Sequence, residues 1–222
     1  MTKVKLQMRK QEAARDALYE AAVELFTVKG FDETKIEEIA QAAGISRRTF
    51  FHYYATKDDL LARSVVNYGS LLTQTVAACP PSFTVLEILQ ETVRSVAKQT
   101  STQPHLRQLI EISQSSISAR KAYISRLVEV EDSVSEAYSK RFRGQSGFDV
   151  DPRLLAQLTI TVLNVAITDW FMGRHSEVSS SVNHVLSRLT FFICDRNCVP
   201  SGIKAKASRP RVNPSKQSRG KD

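Results

Sequence analysis

The chain has 222 residues, 42% hydrophobic and 24% charged, the proportions of a chain that folds and is long enough to bury a core without staples. Eight glycines and seven prolines exclude collagen-like and low-complexity chains and leave an all-β fold short of turn residues. The net charge of +8 is mostly terminal: residues 203–222 hold seven Lys/Arg against one acid, while residues 58–202 balance at fourteen each, so nucleic-acid binding has to be argued from a motif.

Residues 1–10 are basic, but no apolar run follows, so no signal peptide is expected. Over 10–29, Leu18, Ala22, Leu25 and Phe26 fall on one face of an amphipathic helix, which Gly30 ends. Thr34 and Glu37 read as a capping box opening a helix over 35–43, with Ile36, Ile39, Ala40 and Ala43 as its buried face. Gly44 interrupts, and Ser46 caps a two-turn helix over 47–54. Thr56 caps a longer helix carrying Leu60, Leu61, Val65 and Leu72 toward the stop at Cys79-Pro80-Pro81. Helices are expected at 83–101, 104–116, 119–143, 152–173 and 176–195. No alternating strand pattern with hairpin signals appears, so the fold class is all-α. The longest charge-free apolar run, Leu154 to Thr168, is too short and too polar to span a bilayer, and no membrane association is expected. From Val199 onward a disordered basic tail is expected. Cys79, Cys194 and Cys198 are too few for a disulfide framework, and no further ligands stand near the last two, so buried or free thiols and no metal are expected.

The informative stretch is 35–54, where two short helices meet at a sharp turn. Ala40 supplies the small residue at the helix crossing, Gly44 the residue tolerant of positive φ, and Ile45 and Phe50 the apolar lock on the second helix. That helix then exposes Arg47, Arg48, Thr49, His52 and Tyr53, donors suited to phosphates and base edges.

The wider pattern Arg15, Leu18, Ala21-Ala22, Leu25-Phe26, Gly30-Phe31, Thr34, Ile39-Ala40, Ala43-Gly44-Ile45-Ser46, Thr49-Phe50, Tyr53-Tyr54, Lys57 and Leu60 runs about 50 residues without a gap. It resembles the DNA-binding domain of the tetracycline-repressor (TetR) family. The resemblance implies that residues 46–53 are a recognition helix in the major groove, with Arg47, Arg48 and Thr49 as candidate base readers. It implies that Thr34, Lys35, Ser46, His52, Tyr53 and Lys57 hold phosphates or frame the contact. The family usually has Gly where Arg48 stands and Tyr where Phe51 stands; without that hydroxyl Phe51 is expected to pack. The Arg-Arg-Thr-Phe-Phe-x-Tyr run is similar to a subgroup that includes mycofactocin-associated and acyl-CoA-responsive regulators.

The neutral remainder is not built for DNA. Residues 152–173 are apolar nearly all round, and the next helix shows Val178, Val182, Val185, Leu186, Leu189, Phe192 and Ile193 on one face; surplus apolar surface on both suggests a four-helix dimer interface. Among polar residues interrupting apolar stripes, His105, Tyr123, Asn164 and Trp170 are the candidate effector contacts. The basic Arg120, Lys121 and Arg126 are weighed as seats for an acyl-CoA phosphate or as a solvated face. His52, His105, His175 and His184 are isolated, and no phosphate loop, HExxH or nucleophile elbow occurs, so neither catalysis nor a cofactor is expected. The expected organisation is a helix-turn-helix domain over 11–57, a helical ligand-binding and dimerisation domain over 58–198, and a tail over 199–222. The expected function is a cytoplasmic, ligand-responsive, homodimeric regulator, a repressor on a palindromic DNA operator. The alternative is a nucleoid-associated or cell-division DNA-binding regulator that acts through a protein partner.

Overall fold

A computed structural model of the chain describes residues 3–144 and 150–194. The expected basic tail, Cys198 and the side chains of Phe192, Ile193 and Cys194 lie outside what is described. Among the described residues all regular structure is helical.

The first helix, α1 (Lys3–Lys29), begins seven residues earlier than the apolar period predicts. Its first turns carry Lys, Gln, Met, Arg and Leu, straight or γ-branched side chains that hold a helix without an apolar face. Gly30, at φ 90°, ends it. The helix α2 (Ile36–Ala42) is capped by Lys35, not by Thr34. The Lys35 N–H donates to Glu38 Oε2 at 2.9 Å, whereas the Thr34 hydroxyl turns back to the Gly30 carbonyl at 2.7 Å. The expected capping box is therefore displaced by one residue, and Glu37 is left to face the next helix.

Gly44 at φ 65° makes the turn. Its N–H reaches the Gln41 carbonyl, and the Ile45 N–H reaches the Ala40 carbonyl at 2.8 Å, the paired bonds of a Schellman ending. Ser46 then caps α3 (Arg47–Tyr53), its Oγ accepting the Thr49 N–H at 3.1 Å. Thr56 and Asp59 form a reciprocal capping box on α4 (Lys57–Leu61). The long helix expected from Thr56 breaks at Ala62, where ψ is −9°, and continues as α5 (Arg63–Ala78).

The remaining helices are α6 (Val85–Thr100), α7 (Leu106–Ser115), α8 (Ile117–Phe142), α9 (Pro152–Phe171) and α10 (Val178–Cys194). Leu72, Val76, Ile88, Val93, Val134, Tyr138, Leu163 and Leu186 form the centre of their common core. Where α5 crosses α8, Gly69 is the point of closest approach: an added Cβ would stand 2.7 Å from Val130 Cγ2. Buried inside the core, the Tyr138 hydroxyl meets Thr159 Oγ1 at 2.9 Å. Cys79 is a buried free thiol.

Helix α9 has 20 residues, longer than the 15-residue run read from the sequence, and is long and apolar enough to cross a membrane by length and composition. Its Leu155, Thr159, Val162, Leu163 and Ala166 are buried in this core, the packing of a central helix of a bundle. Much of the apolar face of α10 is also spent inside its own subunit, since Val178, Val182 and Leu186 are buried there. The surplus lies on α9, where Leu154 and Val165 are 49% and 43% exposed.

A second apolar cluster joins α1 to α4. Leu18, Phe26, Phe31, Ile39, Phe50 and Leu60 are its fully enclosed members, and it draws in Ile112 of α7 and Ala119 of α8. Ser116 strengthens this junction: its Oγ caps α8 and donates to Asp32 Oδ2 at 2.8 Å in the turn after α1.

Candidate nucleic-acid interface

The Schellman turn and the enclosed Phe50 fix α3 against α2 and leave the opposite face of α3 in solvent. Lys35, Ser46, Arg47, Arg48 and His52 are exposed, and Thr49, Tyr53 and Lys57 are half-buried. Seven of these eight gather around α3 and the start of α2; Lys57 differs. Its ammonium donates to the carbonyls of Phe31 at 2.6 Å, Asp32 at 3.0 Å and Thr34 at 3.2 Å, and lies 4.6 Å from the Phe31 ring centre. It clamps the 31–34 turn. Thr34 is 2% exposed, with its hydroxyl bound to the Gly30 carbonyl, so in the DNA-free chain this hydroxyl faces inward.

The two arginines are held differently. Arg47 Nε pairs with Glu37 Oε1 at 2.9 Å, and its guanidinium lies 5.4 Å from the Phe51 ring centre. Arg48 is exposed and has no ion-pair partner among the described residues. Phe51 does not pack inward as expected; it is 45% exposed, edge-on to Phe50 and beneath Arg47. Thr49 Oγ1 shares a 2.7 Å hydrogen bond with Ser46 Oγ. His52 and Tyr53 meet edge to face at 5.0 Å, and the Arg15 guanidinium lies 5.7 Å from the Tyr53 ring centre. Sequence reasoning did not single out Arg15 as a neighbour of α3 or Glu37 as a counter-ion. The Glu37 signal was its position opposite Arg47 across a turn of known geometry.

Beneath this head a cavity of about 360 Å³ opens between α1, α5, α7, α8 and α9. His105, Tyr123 and Asn164 line it, as expected of effector contacts. Trp170 is not in its wall; the Arg107 guanidinium lies 4.9 Å from the Trp170 ring centre instead. The wall also takes Asp16, Tyr19 and Glu20 from α1 and Arg63 and Tyr68 from α5, which no local sequence signal marks. Burial pushes the Tyr19 phenol up to about 12 and also raises those of Tyr68 and Tyr123, so all three stay neutral donors.

Two polar ties bridge α1 and the cavity. Arg63 Nη2 reaches Glu12 Oε1 at 3.1 Å and Asp16 Oδ1 at 2.5 Å. His105 offers Nδ1 to Gln108 Oε1 at 2.6 Å and Nε2 to the Glu20 carboxylate. Burial of the imidazole opposes its charge, but the bonds to Gln108 and Glu20 and the nearby Glu24 outweigh burial and raise its pKa. Arg126 is not a free basic seat, since it pairs with Asp59 at 2.9 Å and Glu129 at 2.6 Å. Among the described residues no group of three or more His, Cys, Asp or Glu is placed to hold a metal.

Residues 18–63 match the family described as bacterial regulatory proteins, tetR family. Over 185 residues the chain is 21% identical to the HTH-type transcriptional regulator TcmR of Streptomyces glaucescens, covering 79% of this chain and 80% of that one. A putative mycofactocin biosynthesis transcriptional regulator, MftR, of Mycobacterium tuberculosis is 42% identical over 50 residues, 22% of this chain and 25% of its own length. Among solved structures, the transcriptional regulator FadR from Bacillus subtilis in complex with stearoyl-CoA has a TM-score of 0.56 at 19% identity, covering 78% of this chain and 96% of that one. At that identity the likeness is one of fold: a helix-turn-helix head on a larger helical body.

Proposed function

Since the chain is a DNA-binding transcriptional regulator of the TetR family and not an enzyme, we propose that it is a homodimeric repressor released by a small-molecule effector. The head, residues 11–57, binds the operator; the body, residues 58–198, binds the effector and the second subunit. It acts where the chromosome lies, in the cytoplasm. The observation that carries this reading is the juxtaposition of a solvent-facing, cationic α3 with a cavity whose wall includes residues of α1.

Arg47 and Arg48 read base edges, with guanine O6 and N7 as the favoured acceptors. Thr49 is the third reader. Lys35, Ser46, His52 and Tyr53 engage phosphates. Thr34 and Lys57 act by shaping the turn that presents α2, as their inward bonds support. One α3 reads only a few base pairs, so two related by a two-fold axis read a palindrome with half-sites about 34–36 Å apart or a multiple of that. The exposed apolar stripe of α9, with Leu154 and Val165, is the contact between subunits.

The effector enters the cavity and touches His105, Tyr123 and Asn164. An acyl-CoA-like ligand would place its acyl chain there and its phosphates near Arg120, which donates to the carbonyls of the wall residues Ser113 and Gln114. A coupling of about 1–3 kcal/mol between cavity and head is enough to mis-space the two recognition helices. The test is recovery of sheared genomic DNA by the purified protein at about 150 mM salt, followed by sequencing. A few palindromic sites beside promoters are expected. Diffuse recovery without a motif would favour an architectural role and overturn this reading.

A further inference from the structure

We infer that the basic overhang of α1 is a second DNA-contacting element, seated on the phosphate backbone outside the stretch read by α3. The inference rests on the DNA-binding reading above and adds a surface to it. The first eight residues of α1 extend past everything the head encloses. Residues 5–10 are all exposed, with Leu6 at 54% and Met8 at 63%. Lys5, Arg9 and Lys10 have no ion-pair partner among the described residues, and the first turn of α1 contains no acid.

This charge arrangement opposes the helix that carries it. Cations near a helix N-terminus meet the positive end of the helix dipole. Lys5 and Arg9 stand i, i+4, where like charges repel. An isolated segment of this length does not hold a helix in water; only its continuity with α1 keeps it formed. A row of phosphates on the partner would relieve both repulsions at once, and an apolar or cationic partner would relieve neither.

The location fits. Arg15 of α1 lies over Tyr53, near the last turn of α3. At about 1.5 Å per residue, Lys5 stands roughly 15 Å farther along the axis. Duplex DNA presents a charge about every 1.7 Å of its axis, so this reach passes several phosphates. The overhang is thus long enough to meet the backbone flanking the half-site without disturbing how α3 sits in the groove.

The experiment uses the full chain and a Lys5→Ala/Arg9→Ala/Lys10→Ala variant, with the duplex selected from genomic DNA. Each protein is titrated over a range of salt, on that duplex with long flanks and with flanks trimmed to the motif. The slope of log affinity against log salt should fall by about 2–3 in the variant, near 0.9 per lost phosphate contact. Trimming the flanks should cost the wild type the same slope and the variant nothing, with base preference unchanged and helix content by circular dichroism nearly so. An unchanged slope, or a changed base preference, overturns the inference. Failure to select any motif would instead overturn the functional reading on which it rests.

Discussion

Arg47 and Arg48 are adjacent in the chain but electrostatically unlike. Glu37 and Phe51 hold the first, whereas the second stands in solvent. Arg48 meets DNA with only its own rotamers to fix; Arg47 must first leave a carboxylate, though an exposed pair of this kind is worth little. Replacing either by Ala should relax specificity at one base position by about 1–3 kcal/mol, read from affinities for a set of single-base operator variants. Normal discrimination by both variants would refute their assignment as base readers. His105 supports a prediction about pH. Both ring nitrogens face oxygens, Gln108 Oε1 and a Glu20 carboxylate oxygen, a setting that favours the doubly protonated ring. Its pKa is raised in the folded chain, so its contribution is full below the unfolded value and is lost as pH rises through the folded one. The melting temperature of the wild type should therefore exceed that of His105→Ala by more at pH 6 than at pH 8.5. A gap that stays constant with pH would show that His105 contributes only packing.

At the scale of elements, the crossing of α5 and α8 at Gly69 is the tightest test of the body. Gly69→Ala forces its methyl against Val130 and should cost about 1–3 kcal/mol by urea unfolding, as overpacking does. Val130→Ala in the same chain should recover part of the loss; no recovery would mean that the clash lies elsewhere. This contact was hidden in the sequence, because a glycine inside a helix does not say which neighbour needs the room. The helices themselves were legible. Apolar periodicity marked nearly all of them, and Gly30, Gly44, Ser46 and Thr56 marked their ends. Periodicity failed where no face is buried, at the overhang of α1. Local chemistry misled at Thr34, a competent cap whose hydroxyl finds a closer carbonyl behind it. The solvent-facing side chains of α3 could be picked out because they sit on one short helix. The cavity could not, since Tyr19, Arg63, His105, Tyr123 and Asn164 come from segments far apart in the chain and meet only by packing.

For the whole molecule, the unspent apolar surface decides the assembly. The apolar stripe of α10 is largely consumed within its subunit, so the expected dimer contact falls mainly on α9. Val165→Glu, a change on a surface already 43% exposed, should leave the subunit folded and shift its sedimentation to the monomer. Affinity for a full palindrome should then drop toward that for a half-site. A variant that still sediments as a dimer would move the interface off this stripe.

The apolar cluster of the head also limits how such regulators can be recombined. Ile112 and Ala119 belong to the body by position yet close the interior of the head, and Ser116 bonds the turn that follows α1. A graft of this head onto a foreign body would leave a gap in that interior unless the host brought side chains of matching volume at the start of its α8 and on its α7. Exchange of DNA specificity between relatives is therefore constrained at a seam some 60 residues downstream of the helix that reads DNA. Chimeras would succeed or fail there, whatever operator they were built to recognise.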